Sequence, residues 1–398
     1  MSPDTTRVPI IDVGPLFTKE FSDPAVKDVV NALRDACSTW GFFEIIGHQV
    51  PLKLQRDLVQ LSKAFFALPE EKKLAIDVRK GGPAWRGYMP MSGESTHGVV
   101  DRKEGIYFGP EHSSTHELLG MPLHGQNRFP PEEDVPGMKD TVLDYIERVT
   151  EVGKQLTTGL SLALGLDSKY MNQHLLEPEP VALFRFFRYP PNESGVTDGS
   201  GIGEHSGTYY IPSLVKRMMN KNSTDFGFLT ILMQDSPGLQ VMSPSGEWVD
   251  VPVIEGAFVV NVGDMFDMLT GGRFVSRRHR ALSPPAGGPD RHSFPFFFDF
   301  SWTAEMKELP IPEDVFPITE ETKAEAKARW ATTTFKSVEG RWWQYLAKKV
   351  RKVFPDLNLP DFDANTSVSS RFNMPVITAP ATGHSLIPSI FFIHLCTP

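Results

Sequence analysis

The chain has 398 residues, of which 40% are hydrophobic, and its formal net charge is -9. This length is enough to bury a sizeable core in one large domain or two ordinary ones. The acidic balance and the absence of a dense Lys/Arg tract in the first three quarters argue against nucleic acid or an anionic membrane as a partner.

The first hundred residues alternate strand and helix signals. Residues 8–13 are a short apolar strand signal, and residues 24–40 place apolar side chains at helical spacing. The aromatic and β-branched segment 41–46 predicts a second strand, and residues 52–66 predict a second helix. The N-terminal part is therefore predicted to be mixed helix and strand.

From Val181 the pattern changes to short strands separated by Gly, Pro and Ser turns. Regularly spaced short strands are typical of a β-sandwich or jelly roll. A helix is predicted to follow at 320–354, and no regular structure is predicted after residue 361. The predicted strands of this region are 239–242, 248–251, 257–262, 273–281 and 292–300.

These patterns divide the chain into five parts. Residues 1–120 form an N-terminal helical and mixed domain, and residues 121–180 are connecting helices. Residues 181–305 are predicted to form the jelly roll, within which residues 206–224 are a separate segment. Residues 306–360 form a C-terminal helical segment, and residues 361–398 are a tail.

Cysteine usage and the N-terminus indicate where the protein resides. The two cysteines, Cys37 and Cys396, are far apart, so neither a disulfide framework nor a Cys-based metal site is available. The first residues lack the basic and apolar pattern of a signal peptide, and no segment has the ~18 apolar residues of a membrane span. We expect a cytoplasmic monomer that binds a small molecule.

Two histidines and a carboxylate follow the order expected of a non-haem iron site. Such a set holds the metal on one face and leaves positions free for a co-substrate and dioxygen. A His and a carboxylate two residues apart on a strand point to the same side. His205 and Asp225 fit this arrangement if the segment between them is looped out, and His279 lies on a later predicted strand.

An arginine and a serine follow the candidate metal ligands by about twelve residues. Arg291 offers a fork that matches a carboxylate bidentately, and Ser293 adds one further donor. Tyr189 precedes a pair of prolines that fix an extended backbone, so its phenol is predicted to point into the mouth of the barrel. These three residues are the candidates for binding the co-substrate.

The chain resembles the isopenicillin N synthase-like branch of the 2-oxoglutarate and iron(II)-dependent dioxygenases. The resemblance runs from about residue 8 to about residue 359. The motifs that carry it are Trp40-Gly41-Phe42-Phe43, Phe66-Ala67-Leu68-Pro69, Arg86-Gly87-Tyr88, Asp101-Arg102-Lys103-Glu104, Leu229-Thr230-Ile231-Leu232, Gly238-Leu239-Gln240-Val241, Gly256-Ala257-Phe258-Val259-Val260-Asn261-Val262-Gly263-Asp264 and the Arg-x-Ser pair.

The resemblance implies a mixed α and β fold built on a distorted double-stranded β-helix, with an N-terminal helical domain and a C-terminal helix. It implies that His205, Asp225 and His279 bind Fe(II), and that Arg291 and Ser293 anchor 2-oxoglutarate. The implied reaction consumes dioxygen and hydroxylates or desaturates a small organic molecule of secondary metabolism, releasing succinate and CO2. Phe187 departs from the family, which commonly has Asn there.

The insert is the larger departure from the family. Residues 206–224 separate the two ligands, where the family has one residue. We predict that this segment is a retained intron, because its composition resembles neither flank. The residues at its two ends can also be encoded so that splice signals occur there. The alternative is a tolerated loop, since the entropy cost of an insertion grows slowly with length.

Two other functions and several other residues remain open at this stage. The fold also suits an iron oxidase that does not use 2-oxoglutarate, and the split metal strand suits a catalytically dead binding protein. His112 and His116 have zinc-like spacing, but the lack of a nearby third ligand in sequence favours a loop. His48 is interpreted as structural, and Trp342 with Trp343 as packing of the C-terminal helix.

Overall fold

A computed structural model describes residues 6–192 except 92, 94, 97, 98 and 101, residues 224–331, residue 333 and residues 338–353. The helices are α1 (Gly14–Thr18), α2 (Pro24–Thr39), α3 (Leu52–Phe66), α4 (Glu70–Ala75), α5 (Met138–Ala163), α6 (Asp264–Leu269), α7 (Glu320–Trp330) and α8 (Trp342–Val353). The strands are β1 (Ile10–Asp12), β2 (Phe42–Ile46), β3 (Gly87–Met89), β4 (Ser95–Thr96), β5 (Val99–Val100), β6 (Glu104–Phe108), β7 (Val181–Tyr189), β8 (Leu229–Gln234), β9 (Leu239–Met242), β10 (Trp248–Asp250), β11 (Phe258–Val262), β12 (His279–Ala281) and β13 (Arg291–Asp299).

The largest sheet has eight strands in the order β1-β2-β11-β8-β13-β7-β6-β3. Its neighbouring strands are antiparallel except for the parallel pair of β1 and β2. A second sheet has the order β10-β9-β12, and β4 pairs with β5. Strands from the N-terminal part and from the catalytic part therefore share one sheet.

An apolar layer joins the three-stranded sheet to the large one. Leu239 and Val241 of β9 pack in one cluster with Trp40, Phe42 of β2 and Val259 of β11. Because side chains alternate between the faces of a strand, Leu239 and Val241 point to the same side, toward this cluster. Two packed, mainly antiparallel sheets form the jelly-roll core that the sequence predicts.

The long helices α2, α3 and α5 each bury one apolar stripe. In α5, buried side chains recur every three or four residues, as in Val142, Tyr145, Val149 and Leu156. Helix α5 approaches the sheet closely, since a Cβ added at Gly153 would lie 2.7 Å from the ring of Phe298 in β13. Among the described residues, none of the helices is both long and apolar enough to cross a membrane.

Two sequence-based boundaries are wrong. The strand expected at 273–281 begins only at His279, because the N–H groups before it bond elsewhere: Val275 donates to the Cys37 carbonyl and Ser276 to Asp267. The helix expected at 320–354 is two helices, α7 and α8. Gly340, just before α8, has a φ of 78°, which a continuous helix does not allow.

A buried carboxylate in β2 predicts a pH-dependent stability. Glu44 is 1% exposed, its Oε2 has no hydrogen-bond partner among the described residues, and burial raises its pKa from 4.5 to about 7. Between these two pH values the folded protein binds more protons than the unfolded chain, so stability falls as the pH rises through this window. Glu44→Gln should therefore increase the free energy of unfolding by about 1–2 kcal/mol at pH 8.

Urea unfolding of the metal-free protein at pH 5 and pH 8 measures this effect. The gain should be much smaller at pH 5, where most of the wild-type Glu44 is still protonated. The same substitution at exposed Glu308 is the matched control and should change neither value. An equal gain at both pH values would show that Glu44 is not the group that titrates.

Candidate active site

Asp225 lies just before β8 and is held by two side chains. Its Oδ2 accepts hydrogen bonds from Thr230 Oγ1 at 2.7 Å and from Asn261 Nδ2 at 2.9 Å. Thr230 is on β8 and Asn261 is on β11, and the two residues are paired in the sheet. Neighbouring strands thus fix one carboxylate oxygen and leave Oδ1 to face the interior of the site.

His279 opens β12 on the smaller sheet and faces the same carboxylate. Its Nε2 lies 3.8 Å from Asp225 Oδ1, and its Nδ1 lies 3.3 Å from the Arg277 carbonyl. Donation from Nδ1 to that carbonyl leaves the lone pair of Nε2 free, which is the usual arrangement of a histidine that binds a metal. The Phe42 ring packs 5.2 Å from the imidazole.

The pair formed by Asp225 and His279 fits a metal ion. Bonds from nitrogen and oxygen ligands to divalent metals are about 2.0–2.2 Å long, so one ion reaches both atoms across 3.8 Å. Residues 206–223 of the insert and His205, the third predicted ligand, lie outside the described residues. The structure therefore brings two of the three predicted ligands together.

Three buried acids in this part of the chain, Asp264, Asp267 and Asp299, accept hydrogen bonds from other groups. Asp264 is the first residue of α6, and Thr224 donates to its Oδ2. Burial raises the pKa of Asp264 to about 6 and that of Asp299 to about 7. Asp267 is bound by Arg329, among others. Asp264 thus starts α6 just after the end of β11.

Arg291, at the start of β13, is a buried cation without a complete set of partners. It is 2% exposed, and its Nε and Nη1 have no hydrogen-bond acceptor within the part of the chain that the structure describes. Burial lowers its pKa. The guanidinium lies over the ring of Tyr189, 5.1 Å from its centre. A buried, partly unsatisfied guanidinium suits the carboxylate of a bound anion.

The backbone places Arg291 close to the strand that carries His279. Leu282 follows β12 and donates its N–H to the Gly238 carbonyl at 2.7 Å. A Cβ added at Gly238 would lie 3.1 Å from both Cδ and Nε of Arg291. Gly238 therefore lies between the segment that follows His279 and the side chain of Arg291.

Ser293 and Phe187 face each other across the β13 and β7 pair. Ser293 is 4% exposed and pairs in register with Phe187, while Arg291 pairs with Tyr189. The ring of Phe187 lies 4.6 Å from Lys103 Nζ. The three predicted co-substrate residues therefore share two adjacent strands.

The C-terminal helix packs next to the metal site. Trp342 is fully buried and stacks on Phe226, with ring centres 5.7 Å apart. Phe226 directly follows Asp225, so α8 packs against the segment that carries this ligand. This contact agrees with the packing role predicted for Trp342. His48, also interpreted as structural, stacks on Phe258 at 4.0 Å and contacts the Gly256 carbonyl.

Sequence reasoning gave no role to the residues that orient the predicted ligands. Thr230 and Asn261 both lie in the motifs that carry the family resemblance, yet spacing alone did not show that they converge on Asp225. Gly238 belongs to another of these motifs and has a φ of 129°. An isolated glycine in a strand-like motif was the available signal for a close backbone approach.

We expect Gly238→Ala to impair co-substrate use. Its φ of 129° disfavours any side chain, and the added Cβ would press on the Arg291 side chain at 3.1 Å. The KM for 2-oxoglutarate should rise about tenfold, equivalent to about 1.4 kcal/mol, while iron affinity changes little. Gly246→Ala is the matched control, because its φ is also positive, at 88°, but its Cβ would meet nothing. Equal effects would show that strain alone is responsible.

Comparison with known proteins gives the class of this site. Residues 8–132 match the family described as non-haem dioxygenase in morphine synthesis N-terminal, and residues 202–300 match the 2OG-Fe(II) oxygenase superfamily. A protein of Dictyostelium discoideum named probable iron/ascorbate oxidoreductase is 37% identical over 359 residues, which are 88% of this chain and 96% of that one. The 2-oxoglutarate-Fe(II) type oxidoreductase of Emericella nidulans is 33% identical, with 77% and 83% of the two chains covered.

Solved structures show the same fold at lower identity. A full-length Neurospora crassa protein in complex with alpha-KG and thymine has a TM-score of 0.65 and 22% identity, with 89% of this chain and 99% of that chain covered. A 2OG-Fe(II) oxygenase family protein from Caulobacter crescentus has a TM-score of 0.66, with 87% and 99% covered.

The chain belongs to the 2OG-Fe(II) oxygenase superfamily. It is an oxidoreductase of the non-haem iron class, which uses Fe(II), 2-oxoglutarate and dioxygen to oxidise a small organic molecule. Succinate and CO2 are the products from the co-substrate.

Proposed function

We propose that His205, Asp225 and His279 bind the iron and that Arg291, Ser293 and Tyr189 bind 2-oxoglutarate. The observation that carries the second half is the buried Arg291 fork, whose Nε and Nη1 have no acceptor among the described residues. The first half is supported by Asp225 Oδ1 and His279 Nε2, which face each other at 3.8 Å. We place this catalytic unit in residues 181–305.

The iron, when bound, supplies the activation of dioxygen, and the residues of the chain set the geometry around it. Thr230 and Asn261 hold the Asp225 carboxylate in place by donating to Oδ2. Arg291 neutralises the far carboxylate of the co-substrate in a site that excludes water, where a charged hydrogen bond is strong. In the balanced reaction one oxygen atom enters succinate and the other enters the product or is reduced to water.

An oxidase that does not use 2-oxoglutarate is the alternative function against which this assignment is tested. A 1-aminocyclopropane-1-carboxylate oxidase of Dictyostelium discoideum is 32% identical, with 97% of its length covered. The Nε and Nη1 atoms of Arg291, which have no acceptor among the described residues, favour the 2-oxoglutarate enzyme, because a buried donor without an acceptor is costly unless an anion binds it. Succinate formation separates the two functions.

A screen of small organic substrates tests the proposal directly. Purified protein with Fe(II), 2-oxoglutarate and dioxygen is incubated with single compounds, including pyrimidine bases and phenols, and succinate is measured. A substrate should raise succinate above the background without substrate, and a matching oxidised product should appear. Turnover of a substrate at the same rate without 2-oxoglutarate would overturn the proposal in favour of the oxidase.

The insert at 206–224 is also proposed to be a retained intron, and that part of the proposal needs its own test. Sequencing of mature transcripts shows whether the segment is spliced out, and deletion of residues 207–224 restores the family spacing of His205-Ser206-Asp225. The variant that lacks residues 207–224 should bind iron more tightly than the full chain. Equal iron binding and turnover, with every transcript carrying the segment, would show that it is a tolerated loop.

We further propose that the enzyme acts as a monomer in the cytoplasm. Cys37 is buried as a free thiol, and burial raises its pKa, which favours an unreactive, reduced cysteine. Sedimentation of the purified protein and localisation of a tagged chain in cells test these two statements.

A further inference from the structure

Three histidines and a glutamate meet at a point outside the catalytic residues. His112, His116 and His124 lie in the segment between β6 and α5, where residues 109–137 form neither a helix nor a strand. Glu179 lies just before β7. A long connection of this kind commonly carries a function or needs a specific anchor.

The four side chains converge on one oxygen atom. Glu179 Oε1 lies 3.0 Å from His116 Nε2, 3.6 Å from His112 Nε2 and 3.8 Å from His124 Nε2. Ligand atoms of His112, His124 and Glu179 all lie within 4.8 Å of one another. His112 and His124 are 5% and 2% exposed, so two of these ligand atoms are shielded from bulk water.

The central oxygen, Glu179 Oε1, is buried and has no well-aligned hydrogen bond among the described residues. A buried carboxylate oxygen without a partner is costly. Proximity to His112 lowers the pKa of Glu179, burial raises it, and His116 and His124 lower it further, with a net decrease. The carboxylate is therefore ionised, and the ring nitrogens of His112 and His116 approach Oε1 without a well-aligned hydrogen bond.

His124 is prepared to bind a cation. Its Nδ1 donates to the Pro122 carbonyl at 2.9 Å, so in the neutral ring the lone pair is on Nε2 and points toward Glu179. Burial lowers the pKa of His124 to about 4, which keeps the ring neutral near pH 7. Two lone pairs, on Nε2 and on the carboxylate, then face each other, and this arrangement is unfavourable without a cation between them.

His112 can take the same form. Its Nδ1 accepts the N–H of Gly125 at 3.0 Å, so Nε2 carries the proton in this structure. The Gly125 carbonyl lies 3.1 Å from the same Nδ1 and would accept its N–H once the proton moves from Nε2 to Nδ1, which frees Nε2 for a metal. Metal-binding histidines usually donate their second ring nitrogen to such an acceptor. His116 Nδ1 likewise accepts a backbone N–H, that of Leu118, so its Nε2 also carries a proton.

The distances agree with a tetrahedral zinc site. With bonds of about 2.0–2.2 Å, the ligand atoms of a tetrahedral zinc ion lie about 3.3–3.6 Å apart. The separations from Glu179 Oε1 to His112 and His124 are 3.6 and 3.8 Å. Only small shifts are needed to place an ion between the three atoms, and two histidines with one glutamate form a known ligand set for zinc.

We propose that His112, His124 and Glu179 bind one zinc ion, separate from the catalytic iron, with water in the fourth position and His116 beside it. The ion ties the irregular segment 109–137 to the chain that enters β7. His124 also packs against Trp302, at 5.4 Å between ring centres, and Trp302 follows β13. The zinc site thus anchors the segment 109–137 to the end of the large sheet, next to β13.

Metal binding is measured on untagged protein in which the catalytic pair is removed by Asp225→Ala and His279→Ala. After treatment with a chelator, this variant is titrated with Zn²⁺ by calorimetry and with Co²⁺, whose four-coordinate complexes absorb strongly in visible light. We expect one Zn²⁺ per chain and a tetrahedral Co²⁺ spectrum. Added Zn²⁺ should also raise the melting temperature, because it binds the folded state.

Glu179→Gln in the same background is the decisive variant, since it keeps the shape and removes the charge. Zinc affinity should fall at least tenfold, and the melting temperature should no longer respond to Zn²⁺. Glu177→Gln, two residues earlier on the exposed side, is the matched control and should behave as the parent. Circular dichroism confirms that each variant is folded. An absence of saturable binding in the parent, or equal affinity in both Gln variants, overturns the proposal without affecting the iron assignment.

Discussion

Replacement of His279 by alanine is expected to abolish iron-dependent turnover. Nε2 of His279 faces Asp225 Oδ1 at 3.8 Å, and its removal leaves the iron with at most two protein ligands. Loss of a residue that merely orients a ligand costs about 10- to 100-fold in metal affinity, so loss of the ligand itself should cost more than ~100-fold. Iron affinity is measured anaerobically in the presence of 2-oxoglutarate, and turnover is measured as succinate released.

The control for this variant is His174→Ala. His174 stacks on Tyr170 at 4.2 Å, in a part of the chain remote in sequence from both candidate ligands. It should keep the iron affinity and turnover of the wild type. If His279→Ala retained full iron-dependent turnover, His279 would not be the second histidine ligand, and the pairing with Asp225 would have another explanation.

The second large effect is expected from Arg291→Lys. Lysine keeps the positive charge but loses the planar fork that binds a carboxylate through two nitrogens. A hydrogen bond to a charged group contributes about 1.5–3 kcal/mol. The KM for 2-oxoglutarate should therefore rise roughly 10- to 150-fold. Iron affinity measured without 2-oxoglutarate should stay close to that of the wild type, because Arg291 is not a ligand.

Arg280→Lys provides the matched comparison. Arg280 lies on β12 directly after His279, and it donates to Gln240 and stacks over Trp248 at 4.3 Å, away from the proposed anion site. It should leave the KM for 2-oxoglutarate unchanged within about threefold. An unchanged KM in Arg291→Lys as well would remove the co-substrate role of Arg291 and favour the oxidase function.

The sequence was sufficient to predict the jelly roll and the proximity of Asp225 to His279. Strand periodicity places alternate side chains on one face, and the order of the motifs limited the possible topology. The predicted strand at 273–281 was too long because its buried apolar residues, Phe274 and Val275, lie in a loop before β12. That loop is anchored by the Cys37 carbonyl, far away in sequence.

The cluster around Glu179 shows what a local pattern cannot reveal. His112 and His116 were set aside for want of a third ligand close in sequence, and the structure supplies His124 and Glu179. Glu179 comes from a segment 55 residues after His124, and only the docking of the long connection against the start of β7 brings them together. A carboxylate contributed from across the fold has no signature at fixed spacing.

The pairing of β2 with β11 means that the N-terminal and C-terminal halves of the chain cannot be separated without breaking the large sheet. Phe43 of β2 lies opposite Val260 of β11, and β11 also holds the side chain that fixes Asp225. If the second half of the chain were produced alone, β11 would become an open sheet edge, with unsatisfied backbone groups that invite pairing with other chains. The N-terminal half supplies the strand that covers this edge, and we expect the oxygenase half to aggregate without it.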